Sequence, residues 1–451
     1  MNDHTAPGAA PALRRELGIF SAALMVVGGT IGSGIFFTPA EVARALPSGP
    51  WILGVWVLGG VIALAGALTY AELGAMFPDA GGAYVYIRRA FGPLASFLCG
   101  WMTTLLVASG ALAAVAMGFA GYVERFVPLD AVGGRIGMAA ATLTIVAGTN
   151  YVGIRPGAVA QNILTIAKIV ALSALIVGGL VLWTSLGSPN APATVPAPND
   201  SIVAGFATAL VAVLFTIGGW QQLNMVAGEI REPGRTIPRA LGIGIATIIA
   251  IYVGANAVYL HTLGRDGLAA SSAVAADAAT RMMGPNGATL ITVSAMLSIL
   301  GFITVALLGN SRIPYAMARD GTFIAAAGRV HPRFGTPHVA IAILWGWSML
   351  LLFASRGRIG DLLSGVVFAD WIFFGMGAAS VFVLRRTMPG AERPYRALGY
   401  PIVPALFVIA AAVGVISAIV SAPRTSAFGG ALLIAGVIWF QVAGRVATKG
   451  H

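Results

Sequence analysis

The apolar residues of this chain fall into long unbroken runs rather than into alternating positions or one helical stripe. About 20 consecutive apolar residues suffice for a helix to cross the hydrocarbon core of a bilayer. Twelve runs of roughly that length follow one another: residues 17–46, 51–77, 94–124, 135–153, 158–184, 201–229, 238–262, 286–317, 338–354, 360–384, 401–421 and 428–444. Each predicts a membrane-crossing helix. The segments between them are short. Residues 79–92 (DAGGAYVYIRRAFG) set paired arginines among tyrosines, which predicts a short interfacial helix. Residues 266–284 are too polar to cross and predict a helical cap over one end of the bundle, while 187–200 (GSPNAPATVPAPND) reads as a proline-rich loop.

Two of the runs carry glycine where a continuous helix would not. Gly28, Gly29, Gly32 and Gly34 crowd the first, and Phe215-Thr216-Ile217-Gly218-Gly219-Trp220 interrupts the sixth. Each glycine costs a helix interior about 1 kcal/mol relative to alanine. In hydrocarbon, a broken helix survives only where protein or a watered cavity satisfies its freed backbone groups. Either stretch alone is explained by close helix packing through small residues. Two such interruptions in corresponding positions point instead to the binding site of a secondary transporter. If the two broken helices are equivalent, runs one to five and six to ten are repeats, and an odd number of crossings makes them inverted. The expected organisation is a tail over 1–16, a first repeat over 17–186, an external loop over 187–200, a second repeat over 201–386, and two peripheral helices with a short tail over 387–451.

Composition agrees and narrows the class. At 58% hydrophobic, 10% charged and a mean hydropathy of +0.87, this is an all-α polytopic membrane protein. Its single cysteine, Cys99, excludes a disulfide framework and a thiol metal site, and the five histidines show no ligand spacing. No cofactor or metal is expected. The net charge of +11 does not imply nucleic acid, because the basic residues are scattered between apolar runs. With the N-terminus in the cytoplasm, 18 of the 27 lysines and arginines fall inside and 8 outside, with Lys168 left within the fifth run. The positive-inside rule then places both termini in the cytoplasm. Residues 1–13 carry no signal-peptide pattern, so the first run is expected to be retained in a cell inner (plasma) membrane protein.

Several motifs together resemble the amino acid–polyamine–organocation superfamily, in particular its L-type amino acid transporter branch. They are GGTIGSGIFFTPAEV in the first run, TYAELGAMFPDAGGAYVYIRRAFG after the second, FTIGGWQQLNMVAGEIREPGRTIPRAL in the sixth, SRIPYAMARDG after the eighth, FADWIFFGMG in the tenth and RPYRALGYP beyond it. The resemblance implies the leucine-transporter (LeuT-type) fold: a 5+5 inverted repeat with helices 1 and 6 broken, two further helices, and membrane transport of amino acids. The eukaryotic members of this branch bond a heavy-chain glycoprotein through a cysteine. No cysteine here is placed to do so, and no such partner is expected.

An amino acid presents a carboxylate and an ammonium. The half-helix after the first break offers free amides and a positive dipole end to the carboxylate, which selects Gly32, Ser33 and Gly34. The carbonyls of Ile31, Phe215, Thr216 and Ile217, at half-helix C-terminal ends, are the expected acceptors for the ammonium. The resemblance also makes Phe215 an aromatic lid, whereas Trp220 reads as a wedge between helices. Lys168 is an ionisable group in mid-run, which costs about 2.5–3.5 kcal/mol even on the generous insertion scale, so it should face inward with partners. The likeness of ILTIAKIVAL to the family's fifth helix places its amine between the first and eighth helices, with Ser298 or Thr304 as partners. There it stands in for the sodium ion of coupled relatives. Asp370 in the tenth run reads as a hydrogen-bonded structural acid or a proton-coupling one. Glu72, Glu229, Arg312 and Arg319 read as inner-gate or loop-anchoring charges.

The function expected is a sodium-independent exchanger or uniporter for neutral L-amino acids, since 104–118 and 297–308 are apolar and no acid lies near either break in sequence. A proton-coupled symporter is the alternative, and a non-transporting sensor on the same fold is more remote. An enzyme is disfavoured because no run carries paired carboxylates, a His/Cys cluster or a Ser-His-Asp set.

Overall fold

The computed structural model describes residues 13–185, 201–356, 359–421 and 423–448. The segment 187–200 and most of the tail 1–16 lie outside them, as does Lys449. The first run is two helices, α1 (Ile19–Thr30) and α2 (Gly34–Ala45), bent by 44° across Ile31–Ser33. Next come α3 (Gly49–Met76), the short amphipathic α4 (Ala83–Phe91), and α5 (Pro93–Val123), which carries a π-helical stretch over Thr103–Ala108. The first half closes with α6 (Gly134–Tyr151) and α7 (Ile154–Val181).

The second half starts at α8 (Ile202–Thr216), which stops at its glycine pair. The run 201–229, expected to be interrupted at 215–220, is divided there, its helix ending at Thr216. Beyond the break the chain resumes only as the turn Gln222–Met225 and a 3-10 turn over Ala227–Glu229. Then follow α9 (Pro233–Ala270), α10 (Val274–Met283), α11 (Pro285–Asn310), α12 (Arg312–Arg319), α13 (His338–Ala354), α14 (Ile359–Thr387), α15 (Ile402–Ser421) and α16 (Pro423–Thr448). The expected cap over 266–284 is split. Gly264 (φ 70°) kinks α9, whose last turns form its first part, and α10 forms the rest against α11.

Among the described residues, six helices are long and apolar enough to cross a membrane, or seven if the bent pair is one crossing. Ile202–Thr216, His338–Ala354 and Ser426–Val442 are shorter apolar helices. The α6 helix is less apolar than these because Arg135 and Asn150, with its threonines and glycines, dilute its hydropathy. The outer surface is apolar: Val181, Val203, Ile402 and Val420 are 74–76% exposed, which suits lipid and not water.

Inside, α1 is held between α7, α9 and α11, while α3 packs along α9 and α14 along α15. At one end, the amides of Glu16 and Leu17 donate to the Glu229 carbonyl at 2.9 and 3.0 Å, stitching the start of α1 to the chain beyond the second break. The carboxylate of the same residue takes a bidentate pair of bonds from Arg312 at 2.6 and 2.9 Å, with both groups buried. Glu72 takes another from Arg385, at 3.0 and 2.6 Å, and the Ala397 amide at 2.6 Å. Tyr84 and Arg88 of α4 both reach Asp320, and burial pushes the Tyr84 phenol up to about 12, so it stays a neutral donor. At the opposite end, Arg44 of α2 donates to the carbonyls of Ala269 and Ser271 at 2.8 and 3.3 Å.

Candidate substrate cavity between the two helix breaks

The two breaks face each other across the middle of the bundle. Gly219 sits at φ 110°, and a Cβ there would lie 2.0 Å from the Gly29 carbonyl oxygen. Both its conformation and its neighbour require glycine. Gly34 is as confined, because a Cβ on it would meet Thr216 Cγ2 at 2.6 Å. One helical turn along α2, the Thr38 and Thr216 hydroxyls bond at 2.7 Å. Tyr252 of α9 ties the two breaks together: its hydroxyl reaches the carbonyls of Thr30 at 3.1 Å and Thr216 at 3.3 Å. Its ring is fixed edge-on against Trp56 at 5.5 Å. Nothing in the sequence around Tyr252 marks it, since a tyrosine in an apolar run is ordinary. Thr38 could have been found, being four residues past Gly34 and so on the same face.

A cavity of about 150 Å3 opens on the breaks, room for a small molecule rather than one or two waters. One wall is the broken backbone, with Thr30, Gly32, Ser33, Gly34, Phe215 and Thr216. The other is made by α5 and α14, with Cys99, Thr103, Asp370, Trp371, Phe373 and Phe374. It extends toward the Leu17 end of the bundle, where Ala83, Met225, Asn310 and Ile313 line it. Phe215 is 45% exposed and so presents its ring to this space. Trp220 is buried between Tyr70, Phe374 and Phe407. Two further cavity residues were not legible from the sequence: the Thr30 hydroxyl and the Gln222 Oε1 are buried with no partner among the described residues.

The structure narrows the expected backbone set. The Gly32 amide is already used, donating to the Thr30 carbonyl at 2.9 Å. Among the described residues the Ser33 and Gly34 amides have no acceptor, as expected for the first turn of α2. The Ile31 carbonyl, expected to face an ammonium, is turned away and takes Lys168 Nζ at 2.6 Å and Ser298 Oγ at 2.9 Å. Ile217 is buried off the cavity. Thr216's carbonyl is taken by Tyr252. Phe215's accepts the Gly218 amide at 3.2 Å and is also approached by the Ile217 amide, whose main acceptor is the Val213 carbonyl at 2.9 Å.

Lys168 lies fully buried on α7, behind α1. Its three N–H groups meet three carbonyls: Gly28 at 3.1 Å, Ile31 at 2.6 Å and Ser298 at 3.2 Å. Every donor of the ammonium is used. Gly301 leaves room for it, since a Cβ there would come to 3.3 Å from the amine. Ser298 contributes its carbonyl to Lys168 and its hydroxyl to Ile31 and, at 3.1 Å, to Gly32. Thr304 does not join this group. It lies nearly two turns further along α11, and its hydroxyl is bonded to the Leu300 carbonyl of its own helix at 2.8 Å.

The expectation of neutral substrates rested on the apolar content of 104–118 and 297–308 and on the absence of acids beside the breaks. In three dimensions one is present. Asp370, 150 residues and more from either break in sequence, lines the same cavity.

A helical bundle with an apolar outer surface, two facing helix breaks and a cavity between them suits a membrane transport protein, and the family and relatives this chain matches are transporters and not enzymes. The chain belongs to the amino acid permease family, whose sequence profile matches residues 17–441, and it falls with the L-type transporters of the amino acid–polyamine–organocation superfamily. It is 32% identical over 400 residues to the serine/threonine exchanger SteT of Bacillus subtilis (strain 168), covering 87% of this chain and 89% of that protein. Likeness to the human large neutral amino acids transporter small subunit 2 is 33% over 414 residues, 89% of this chain and 75% of the other. For the human cystine/glutamate transporter it is 30% over 428 residues, 94% and 84%.

Proposed function

We propose that this chain is a secondary amino acid transporter of the plasma membrane that needs no sodium, working as an exchanger or uniporter by alternating access. The reading includes twelve crossings arranged as two inverted five-helix repeats over 17–186 and 201–386, with α15 and α16 outside them and both termini in the cytoplasm. The observation that carries it is the pair of facing breaks, with the unpaired Ser33 and Gly34 amides on one side of a cavity and the Phe215 carbonyl across it. The free amides suit the substrate carboxylate at a positive half-helix end, and the carbonyl suits the ammonium. Phe215 is the lid.

Sodium independence is supported by Lys168, whose amine fills the position between α1 and α11 with three carbonyl bonds. A bound cation would need those oxygens. The extension of the cavity toward Met225, Asn310 and Ile313, with Arg44 bonded to the cap at the other end, supports an inward-facing state. A heavy-chain glycoprotein is not part of this reading, because the one cysteine is buried in the cavity wall. The relatives named above exchange serine and threonine, or carry large neutral amino acids or cystine and glutamate, so family membership alone leaves the side-chain class open. Proteoliposomes preloaded with each of the twenty amino acids test the reading. Uptake of labelled amino acid stimulated by internal amino acid supports exchange; uptake without internal substrate supports uniport; no amino acid carried in either condition rejects it.

A further inference from the structure

We propose that Asp370 is the side-chain subsite of the cavity, and that it receives the positive end of a basic α-amino acid, an ammonium or a guanidinium. The proposal rests on the reading that this cavity is the amino acid site. Among the described residues that line it, Asp370 is the only Asp, Glu, Lys or Arg. It has no hydrogen-bond or ion-pair partner among the described residues. Among the described residues the fully buried acids are paired: Glu229 with Arg312, and Glu72 with Arg385 and Arg393. Lys168 cannot serve as its counter-charge, because all three of its N–H groups are bonded to carbonyls and it does not line the cavity. A carboxylate left alone within a membrane protein is costly, and such groups are found facing a partner, a cavity or a substrate path.

The surroundings fit the chemistry of a basic side chain. Such a side chain is an apolar stem with a charged tip. Phe302, Trp371, Phe373 and Phe374 line the cavity and would cover the stem, with aromatic faces that also attract a cation. The tip then meets the one charge in the wall. With the α-carboxylate and α-ammonium held at the breaks, the substrate spans the cavity from its backbone wall to α14.

Cys99 supplies a reporter. It is the only cysteine in the chain, lines the same wall, and lies within electrostatic reach of Asp370. A cationic methanethiosulfonate should therefore modify Cys99 faster than an anionic one of similar size.

The test uses the purified full-length protein and two matched ligand pairs, arginine with citrulline and lysine with norleucine. Binding is measured directly and as protection of Cys99 from the cationic reagent. We expect arginine and lysine to bind more than tenfold tighter than their neutral partners. Asp370→Asn should reduce that preference to less than threefold and equalise the rates of the two thiol reagents, while Asp370→Glu keeps both preferences. Equal binding of arginine and citrulline to the unmodified protein overturns the proposal, as does an equal loss of all four ligands in a folded Asp370→Asn protein. Loss of proton-driven uptake in Asp370→Asn without any preference between the paired ligands assigns the carboxylate to proton coupling and also overturns it. If none of the twenty amino acids binds or protects Cys99, the amino acid reading itself has failed, which is a separate result.

Discussion

Lys168 and Asp370, the mid-run charges singled out in the sequence, are treated in opposite ways. Lys168 is sealed behind α1, with each of its donors matched to a carbonyl and no access to the cavity. Asp370 stands in the cavity wall with no bond to the described residues. A buried charge with complete partners is part of the framework, and removing it leaves its partners exposed to the full cost of being unpaired. A charge without partners contributes nothing to holding the fold and is free to bind. The backbone wall of the cavity is thus the built half, and the α14 wall is the receptive half.

The largest effect expected from breaking this comparison is in Lys168→Ala. The Gly28 carbonyl loses its side-chain donor and Ile31 keeps only Ser298, at about 1–3 kcal/mol for each acceptor left unpaired. Turnover in proteoliposomes should fall at least tenfold, with a clear drop in thermal stability. Unchanged turnover and stability would remove Lys168 from the framework.

Next in size is Gly34→Ala. Its methyl group would press on Thr216 and part the Thr38–Thr216 bond, separating the two breaks. Uptake should fall severalfold to tenfold in a protein that still folds and reaches the membrane. A variant with normal uptake would mean that the breaks need not touch.

Tyr252→Phe removes one hydroxyl and keeps the ring on Trp56. The loss should be about 1 kcal/mol, seen as a few-fold change in apparent affinity or turnover. The smallest effect on stability is expected from Asp370→Asn, which removes a charge that no described residue pairs. Its melting temperature should match that of the unmodified protein or exceed it. A drop of several degrees would show that Asp370 belongs to the framework after all.

Legibility from sequence divided along the same line. The broken helices were readable because clustered glycines weaken a helix in the middle of an apolar run, where a break must be supported by something inside the protein. Lys168 was readable because a mid-run charge has few tolerable surroundings. Which carbonyls face the ligand was not readable. That depends on the direction each oxygen takes at the bend, and Ile31 turned toward Lys168 rather than toward the cavity. Thr304 failed as a partner because a threonine in an apolar helix can bond its own backbone, as this one does with Leu300. Asp370 was visible as an unusual residue, but its place in the cavity arises from packing between helices far apart in sequence. Tyr252 shows the same limit, since only the fold brings its hydroxyl to both breaks. The interruption of the run 201–229 was readable from its glycine pair, but its cause at Gly219, a positive φ against the Gly29 carbonyl, was not, nor was the chain's resumption only as short turns.

The central claim is that a fixed ammonium replaces a coupled cation behind the broken backbone wall. The direct measurement is amino acid exchange in proteoliposomes with every sodium ion replaced by choline. Rates equal to those in sodium, together with loss of exchange in Lys168→Ala under both conditions, are the predicted result. Exchange that stops when sodium is removed would contradict it.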